Sequence, residues 1–138
     1  KSTIIQFLEA REVLEPKIVE FACKRATKED LDKLEKALER MKDRLLVLER
    51  EMDADSNFHL VLAEATHNFL FISFMETNLY LYRQVRKQTL QKTNRYHESI
   101  NEHKTILDAV MNRDADMAVN AINIHLKNLR ANILSFLE

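Results

Sequence analysis

The sequence of 138 residues contains no glycine and a single proline, Pro16. A chain of this length with average composition would carry roughly ten glycines. Sheets and hairpins depend on glycine for their tight turns, so its absence favours helices that are joined by short turns. The abundant Leu, Ala, Glu, Lys and Arg are also strong helix formers. We therefore expect an all-α fold that forms one domain over residues 1–138.

Apolar residues recur at the helical period along most of the chain. Thr27 and Asp30 have the spacing of a capping box that would open the second helix, and Asp114 suits the N-cap of the last helix. Pro16 is expected to break or kink the first helix near Glu15. The predicted architecture is an antiparallel bundle of about six helices, at 2–24, 27–50, 51–66, 69–90, 95–112 and 115–137.

Residues 69–90 differ from the other segments because they are apolar around much of the helix circumference. Such a helix is central and largely buried, or it is covered by a partner subunit. His67 and Asn68 are expected to end the preceding helix, since asparagine tolerates the left-handed conformation. The apolar surplus of 69–90 and 115–137 leads us to expect a homodimer.

The formal net charge is −1, from 21 basic and 22 acidic residues that are interspersed. Without a basic stripe, binding to nucleic acid by this segment alone is not expected. One cysteine, Cys23, excludes an internal disulfide and suits a reducing compartment. No apolar run approaches roughly 18 residues and no signal peptide is evident. We therefore expect a cytoplasmic protein that does not enter a membrane.

Four residues that are far apart in the chain have the types and spacings of a metal site, namely Asp55, His59, His103 and His125. Asp55 and His59 are four residues apart, so one helix would point both side chains the same way. His103 and His125 each interrupt an apolar helical stripe, and an imidazole is costly to bury without a partner. Such a set suits Zn²⁺, Ni²⁺, Co²⁺, Mn²⁺ or Fe²⁺, of which we favour Zn²⁺ or Ni²⁺. Each histidine taken singly is more often a hydrogen-bonded core residue, and spacing alone leaves both interpretations open.

Arg11 lies on the same helical face as the apolar residues Phe7 and Ile18. An arginine in that position either extends its charged end to solvent or meets an anion. Beside a metal with open coordination positions, its guanidinium could clamp the carboxylate of a ligand. Asn78 and Thr77, in the apolar segment, could line the same cavity, and we take Arg11 and Asn78 as candidate ligand-binding residues.

Six short motifs occur in a fixed order along nearly the whole chain. They are Arg-x-x-Leu-Glu-Pro at 11–16, Ala-Thr-Lys-Glu-Asp-Leu at 26–31, Asp-x-x-Phe-His at 55–59, Leu-Ala-Glu-Ala-Thr-His-Asn at 62–68, Glu-His-x-x-Ile-Leu-x-Ala-Val at 102–110 and Ala-x-x-x-Ile-x-x-His-Leu at 118–126. Each motif is weak alone, but their order and separations together resemble the effector-binding domain of GntR-family bacterial transcription regulators, of the FCD type.

This resemblance implies a helical bundle in which Asp55, His59, His103 and His125 bind a divalent metal. It also implies that a small organic acid, such as lactate or citrate, completes the coordination and that Arg11 is the family's inward-pointing arginine. In that family the domain dimerises, and the ligand changes how two DNA-binding domains are held.

The sequence departs from the family pattern in two respects. The usual N-terminal winged helix-turn-helix is missing, so we expect a regulatory half that reaches DNA only through that missing domain. His67 and Arg113 stand where glycine is common, and both are expected to alter turns and to leave the metal ligands intact.

The favoured function is therefore a sensor, not an enzyme, in which a metal-tethered pocket detects a small carboxylate. A metal-dependent hydrolase is one alternative, in which the metal would lower the pKa of a bound water. A helical interaction module with a structural metal, or with none, is the other.

Overall fold

The computed structural model describes residues 2–43 and 54–137, and every element of secondary structure in these two ranges is a helix. No helix in the described part of the chain is long and apolar enough to cross a membrane. The described residues form seven helices, namely α1 (Ser2–Arg25), α2 (Lys28–Lys42), α3 (Ala54–Ala65), α4 (Phe69–Thr77), α5 (Leu79–Leu90), α6 (Thr93–Met111) and α7 (Ala115–Leu137). The expected all-α fold is thus confirmed.

The helices pack side by side, with α1 and α6 along α7 and α2 along α3. Lys92 is the N-cap residue of α6, and its Nζ atom lies 3.1 Å from Ser135 Oγ near the end of α7. Glu102 Oε1, further along α6, lies 2.7 Å from His125 Nδ1 in the middle of α7. The residue number therefore rises along α7 as it falls along α6, so the two helices are antiparallel. Buried side chains from all seven helices form one continuous core, which includes Leu8, Leu34, Leu62, Met75, Val85, Ile106 and Ile122.

Helix α1 continues through Pro16, so a break near Glu15, one of the two predicted effects of the proline, is wrong, while a kink there stays a prediction. Proline removes one backbone donor and crowds the preceding turn, but packing along its whole length can hold a helix together. Ile18 and Val19, just after the proline, are among the most buried residues of the protein.

The capping signals read from the sequence are both present. The Thr27 hydroxyl accepts from the Asp30 amide at 3.1 Å, and the Asp30 carboxylate accepts from the Thr27 amide at 2.9 Å. At α7, the Asp114 carboxylate accepts a hydrogen bond from the amide of Met117 at 3.0 Å. These bonds satisfy amides that the first turn of a helix leaves without a partner. The predicted continuation of the second helix to Arg50 lies outside the described residues.

The predicted helix over 69–90 is divided at Asn78 into α4 and α5. The Asn78 side chain donates to the carbonyl oxygen of Phe74 at 2.8 Å, which competes with continuation of the helical hydrogen bonds. The segment is also less buried than its composition indicates, because Phe69, Leu70 and Tyr80 are 73%, 74% and 68% exposed. The expectation of a largely buried helix is therefore wrong for the chain taken alone.

His67 and Arg113 adopt left-handed backbone conformations, with φ of 53° and 55°. It is thus His67, and not Asn68, that turns the chain after α3, while Asn68 caps the start of α4. Glycine adopts such conformations without strain. The side chains of His67 and Arg113 make contacts that a glycine could not make. His67 Nε2 lies 2.8 Å from Asp30 Oδ2, and the Arg113 guanidinium donates to two carbonyl oxygens at the end of α1.

Candidate metal centre

Three histidines from three different helices meet in the core of the bundle. They are His59 on α3, His103 on α6 and His125 on α7, and each is at most 2% exposed. One ring nitrogen from each can be chosen so that all three atoms lie within 4.8 Å of one another. Burying three imidazoles together is unfavourable unless their nitrogen atoms have partners.

The Nδ1 atom of each imidazole faces a hydrogen-bond acceptor. His59 Nδ1 lies 2.8 Å from Oε1 of Glu15, and His125 Nδ1 lies 2.7 Å from Oε1 of Glu102. His103 Nδ1 lies 2.6 Å from the carbonyl oxygen of Ser99, one turn earlier on α6. An acceptor at Nδ1 fixes the proton there, so the lone pair of a neutral ring is on Nε2.

The Nε2 atoms of His59 and His103 are 3.2 Å apart. With protons on both Nδ1 atoms, this contact would bring two lone pairs together, which is repulsive unless a cation lies between them. Two nitrogen ligands at about 2.0–2.1 Å from one Zn²⁺ are about 3.0–3.4 Å apart, which matches the observed spacing. Nε2 of His125 is buried and has no hydrogen-bond partner among the described residues. The donor set and its orientation therefore fit a divalent metal.

Glu15 is a buried carboxylate that connects His59 to α1 and α5. Arg11 forms an ion pair with it, and the Tyr82 hydroxyl donates to Oε2 at 2.8 Å. Burial alone would raise the pKa of Glu15, but the Arg11 guanidinium and the His59 ring outweigh burial and hold that pKa well below its usual range. Glu15 is thus held as an anion beside His59, which strengthens the hydrogen bond from Nδ1.

Glu102 lies beside His125 in the same way that Glu15 lies beside His59. Arg95 donates to both its carboxylate oxygens, at 2.8 and 2.7 Å, and the Asn128 amide donates to Oε2 at 2.8 Å. Burial would raise the pKa of Glu102, but the hydrogen bonds from His125 and Arg95 outweigh it and lower the pKa to about 2.

The His125 ring is held in its neutral form. Burial lowers its pKa to about 3, and the neighbouring His103 acts in the same direction against the opposing hydrogen bond to Glu102. A neutral imidazole is the form that binds metals.

The structure brings together three of the four residues that the sequence singled out as metal ligands. Asp55, the fourth, belongs to the first turn of α3, one turn before His59, but its side chain lies outside the described part of the chain. Asn78 is at the junction of α4 and α5, and the neighbouring Thr77 is exposed. The ligand-binding role of Asn78 stays a prediction.

Arg11 is completely buried, so it does not extend to solvent. Its guanidinium carbon lies 4.4 Å from the centre of the Tyr82 ring, and its charge is balanced by Glu15. Sequence reasoning missed that pair, although a spacing of four residues places both side chains on one helical face. It also missed Glu102, which directly precedes a candidate ligand, because nothing in the sequence shows that Arg95 and His125 approach it.

Comparisons of the sequence and of the fold with known proteins point to one family. The family model of the FCD domain matches residues 6–128 of this chain. The Uxu operon regulator of Haemophilus influenzae is 36% identical over 135 residues, which cover 93% of this chain and 50% of that protein. The Uxu operon transcriptional regulator of Escherichia coli K12 is 32% identical over 140 residues, covering 95% and 54%. The HTH-type transcriptional repressor NanR of Klebsiella aerogenes is 31% identical over 130 residues, covering 93% and 50%.

The chain thus spans about half the length of these curated relatives. Among solved structures, Streptococcus agalactiae GntR superposes with a TM-score of 0.78 and 22% identity, over 93% of this chain and 58% of that one. At that identity, the superposition shows a shared fold.

Proposed function

Because the chain belongs to the FCD family, the regulatory effector-binding domain of GntR-family transcription regulators, we propose that it senses a small carboxylate through a divalent metal. The metal ligands would be His59, His103 and His125, together with Asp55. The observation that carries the proposal is the convergence of three buried imidazoles whose Nδ1 atoms all face acceptors.

The arrangement of neighbouring charges supports this role. Glu15 and Glu102 each hold one imidazole in the orientation that a metal ligand needs. A bound divalent ion, with Zn²⁺ or Ni²⁺ favoured, would supply positive charge and open positions for a carboxylate oxygen. Arg11 would share its guanidinium between Glu15 and the ligand.

We propose a sensing function without catalysis. A general base works best when its pKa lies near the operating pH, whereas the pKa of Glu102 is about 2 and that of Glu15 is also lowered. Both carboxylates are moreover engaged with arginines and with the Nδ1 atoms of histidines. These properties favour a binding site over a hydrolase.

In the full-length protein, the proposed response is a shift between two arrangements of a homodimer that holds DNA-binding domains outside this chain. The ligand can shift that equilibrium only by its difference in affinity for the two arrangements. The exposed apolar side chains of Phe69, Leu70 and Tyr80 support a subunit contact on α4 and α5. A regulator that acts on a bacterial chromosome would work in the cytoplasm.

A thermal-shift experiment with and without chelator tests the proposal. We expect purified protein to bind about one divalent metal per chain, and lactate or a related small acid to raise the melting temperature of the metal-loaded form. His103→Ala should abolish the metal-dependent part of that shift, and His97→Ala, at an exposed histidine of the same helix, is the matched control. Elemental analysis and titration that find no metal binding would overturn the site. If the protein binds metal but neither lactate nor a related small acid raises its melting temperature, the metal would have a structural role.

A further inference from the structure

Tyr82 is completely buried in the first turn of α5 and contacts the charged residues beside the histidines. Its hydroxyl donates to Oε2 of Glu15 at 2.8 Å, and its ring centre lies 5.5 Å from that of His59. The Arg11 guanidinium carbon lies 4.4 Å from the same ring centre, which is close enough for a favourable cation–π contact. Helix α5 thus contacts, through one side chain, a candidate metal ligand, the carboxylate that faces it and the arginine that balances that carboxylate.

Tyr80, two residues earlier, lies on the opposite side of the same turn. Two residues along an α-helix correspond to a rotation of about 200°, and Tyr80 is 68% exposed whereas Tyr82 is 0% exposed. The amides of Leu81 and Tyr82 both donate to the carbonyl oxygen of Asn78, at 3.0 and 3.1 Å. Because these bonds hold the turn together, a displacement of the buried Tyr82 would also move the exposed Tyr80.

The turn is separated from α4 by the division at Asn78. The backbone of this residue, with φ of −107° and ψ of 15°, departs from helical geometry. Residues at the ends of helices are the ones that absorb changes in backbone angles when one element moves relative to another. The first turn of α5 can therefore shift without carrying the whole of α4 with it.

Glu15 accepts hydrogen bonds from His59 through Oε1 and from Tyr82 through Oε2. With a cation at Nε2, the His59 ring would gain positive character, and charged donors form the stronger hydrogen bonds to a carboxylate. Two donors compete for the charge of one carboxylate, so a stronger bond from His59 weakens the bond from Tyr82. The hold of Glu15 on α5 therefore differs between the metal-free and metal-bound states, and only such a difference lets a ligand shift a conformational equilibrium.

We propose that Tyr82 couples occupancy of the metal centre to the exposed side of α5. The inference rests on the proposed metal site and adds the regulation of its response. Tyr82 is a positioning residue that acts through Glu15 and is not a metal ligand. Since Tyr80 belongs to the exposed apolar side chains of α4 and α5, metal binding would change the surface that supports a subunit contact.

A fluorescent reporter on α5 tests the proposal. The chain contains no tryptophan, so Tyr80→Trp places a single indole on the exposed side of the turn. We expect Zn²⁺ to change its emission in proportion to the occupied fraction of the metal site, until that site is saturated. Met117→Trp, at an exposed position of α7, is the matched control and should not respond. His103→Ala should remove the response of the Tyr80→Trp reporter.

The role of the hydroxyl is tested in the Tyr80→Trp background. Tyr82→Phe keeps the ring but removes the donor, so we expect the zinc-dependent change in emission to be lost. Zinc affinity, measured by competition with a chromogenic chelator, should fall by less than about tenfold, because Tyr82 acts on His59 through Glu15. Tyr82→Met also lacks the hydroxyl and has a flexible side chain that fills much of the same space, so it should lose the response as well. Thermal melts verify that the variants are folded.

A folded Tyr82→Phe or Tyr82→Met variant that responds to zinc as fully as the reporter alone would overturn the coupling through the hydroxyl. A reporter that is silent while zinc binds, or an equal response of Met117→Trp, would overturn the link to α5 and leave the metal site standing. Absence of zinc binding to the wild type would overturn the metal site and, with it, this inference.

Discussion

The Nδ1 atom of His125 lies 2.7 Å from the Oε1 atom of Glu102, in the interior of the bundle. The same carboxylate accepts two hydrogen bonds from Arg95. One acidic residue thus fixes the ring orientation of a candidate metal ligand and is itself fixed by an arginine. Replacing such a partner of a metal ligand typically lowers metal affinity by about 10- to 100-fold.

Replacing that carboxylate should weaken metal binding without removing a ligand. Glu102→Gln leaves an acceptor for His125 Nδ1 but removes the negative charge that makes the imidazole more basic. We expect a loss of about tenfold in Zn²⁺ affinity, measured by competition with a chromogenic chelator. Glu98→Gln, at a neighbouring and mostly exposed glutamate of α6, should have no effect. Unchanged affinity in Glu102→Gln would mean that the charge of Glu102 does not contribute to metal binding.

The buried pair of Arg11 and Glu15 should dominate the stability of α1. Glu15→Gln leaves the Arg11 charge without its counter-ion at a position shielded from water, and removal of one partner of a buried pair typically costs about 3–5 kcal/mol. Urea unfolding in the presence of a chelator measures this loss without a contribution from metal. Glu20→Gln, on the same helix and in contact with the exposed lysines Lys17 and Lys24, should change the free energy of unfolding by less than about 1 kcal/mol. Equal effects of the two substitutions would contradict the burial of the pair.

The two left-handed residues should respond differently to glycine. His67→Gly relieves about 1 kcal/mol of backbone strain and loses a pair whose histidine side chain is 51% exposed. We therefore expect its free energy of unfolding to stay within about 0.5 kcal/mol of wild type. Arg113→Gly relieves similar backbone strain, but it removes two hydrogen bonds from a charged group to the carbonyl oxygens of Cys23 and Ala26. We therefore expect this variant to have a free energy of unfolding about 1–2 kcal/mol below that of wild type. Chemical denaturation of both variants checks the order, and a more stable Arg113→Gly would show that strain outweighs those bonds.

The capping box of α2 should contribute to stability in a pH-dependent way. Burial would raise the pKa of Asp30, but hydrogen bonds from Thr27 and His67 outweigh it and lower that pKa in the folded state. The resulting stabilisation is present above the pKa of Asp30 in the unfolded chain and is lost as the pH falls through its folded value. Asp30→Asn should therefore lose about 1 kcal/mol at pH 7 and less at pH 3, in urea unfolding at both values. Asp32→Asn, at an exposed neighbour, serves as the control and should not show this difference.

The sequence by itself determined the helical class, most helix ends and the family. A chain without glycine has few routes to tight hairpins, and local hydrogen bonds such as those of Thr27 and Asp114 depend on residues only three positions apart. The resemblance to the FCD type of GntR-family regulators is likewise confirmed, because motifs in order are a property of the sequence alone.

Other features were decided only by the tertiary structure. Continuation of α1 through Pro16, the division at Asn78 and the left-handed turn at His67 depend on contacts that local preferences do not contain. The helical period placed His59, His103 and His125 on inward faces. It could not show that the Nε2 atoms of His59 and His103 meet, or that Glu15 and Glu102 face the Nδ1 atoms of His59 and His125. Those relationships join residues tens of positions apart, and only the packing of α1, α3, α6 and α7 brings them within hydrogen-bond distance.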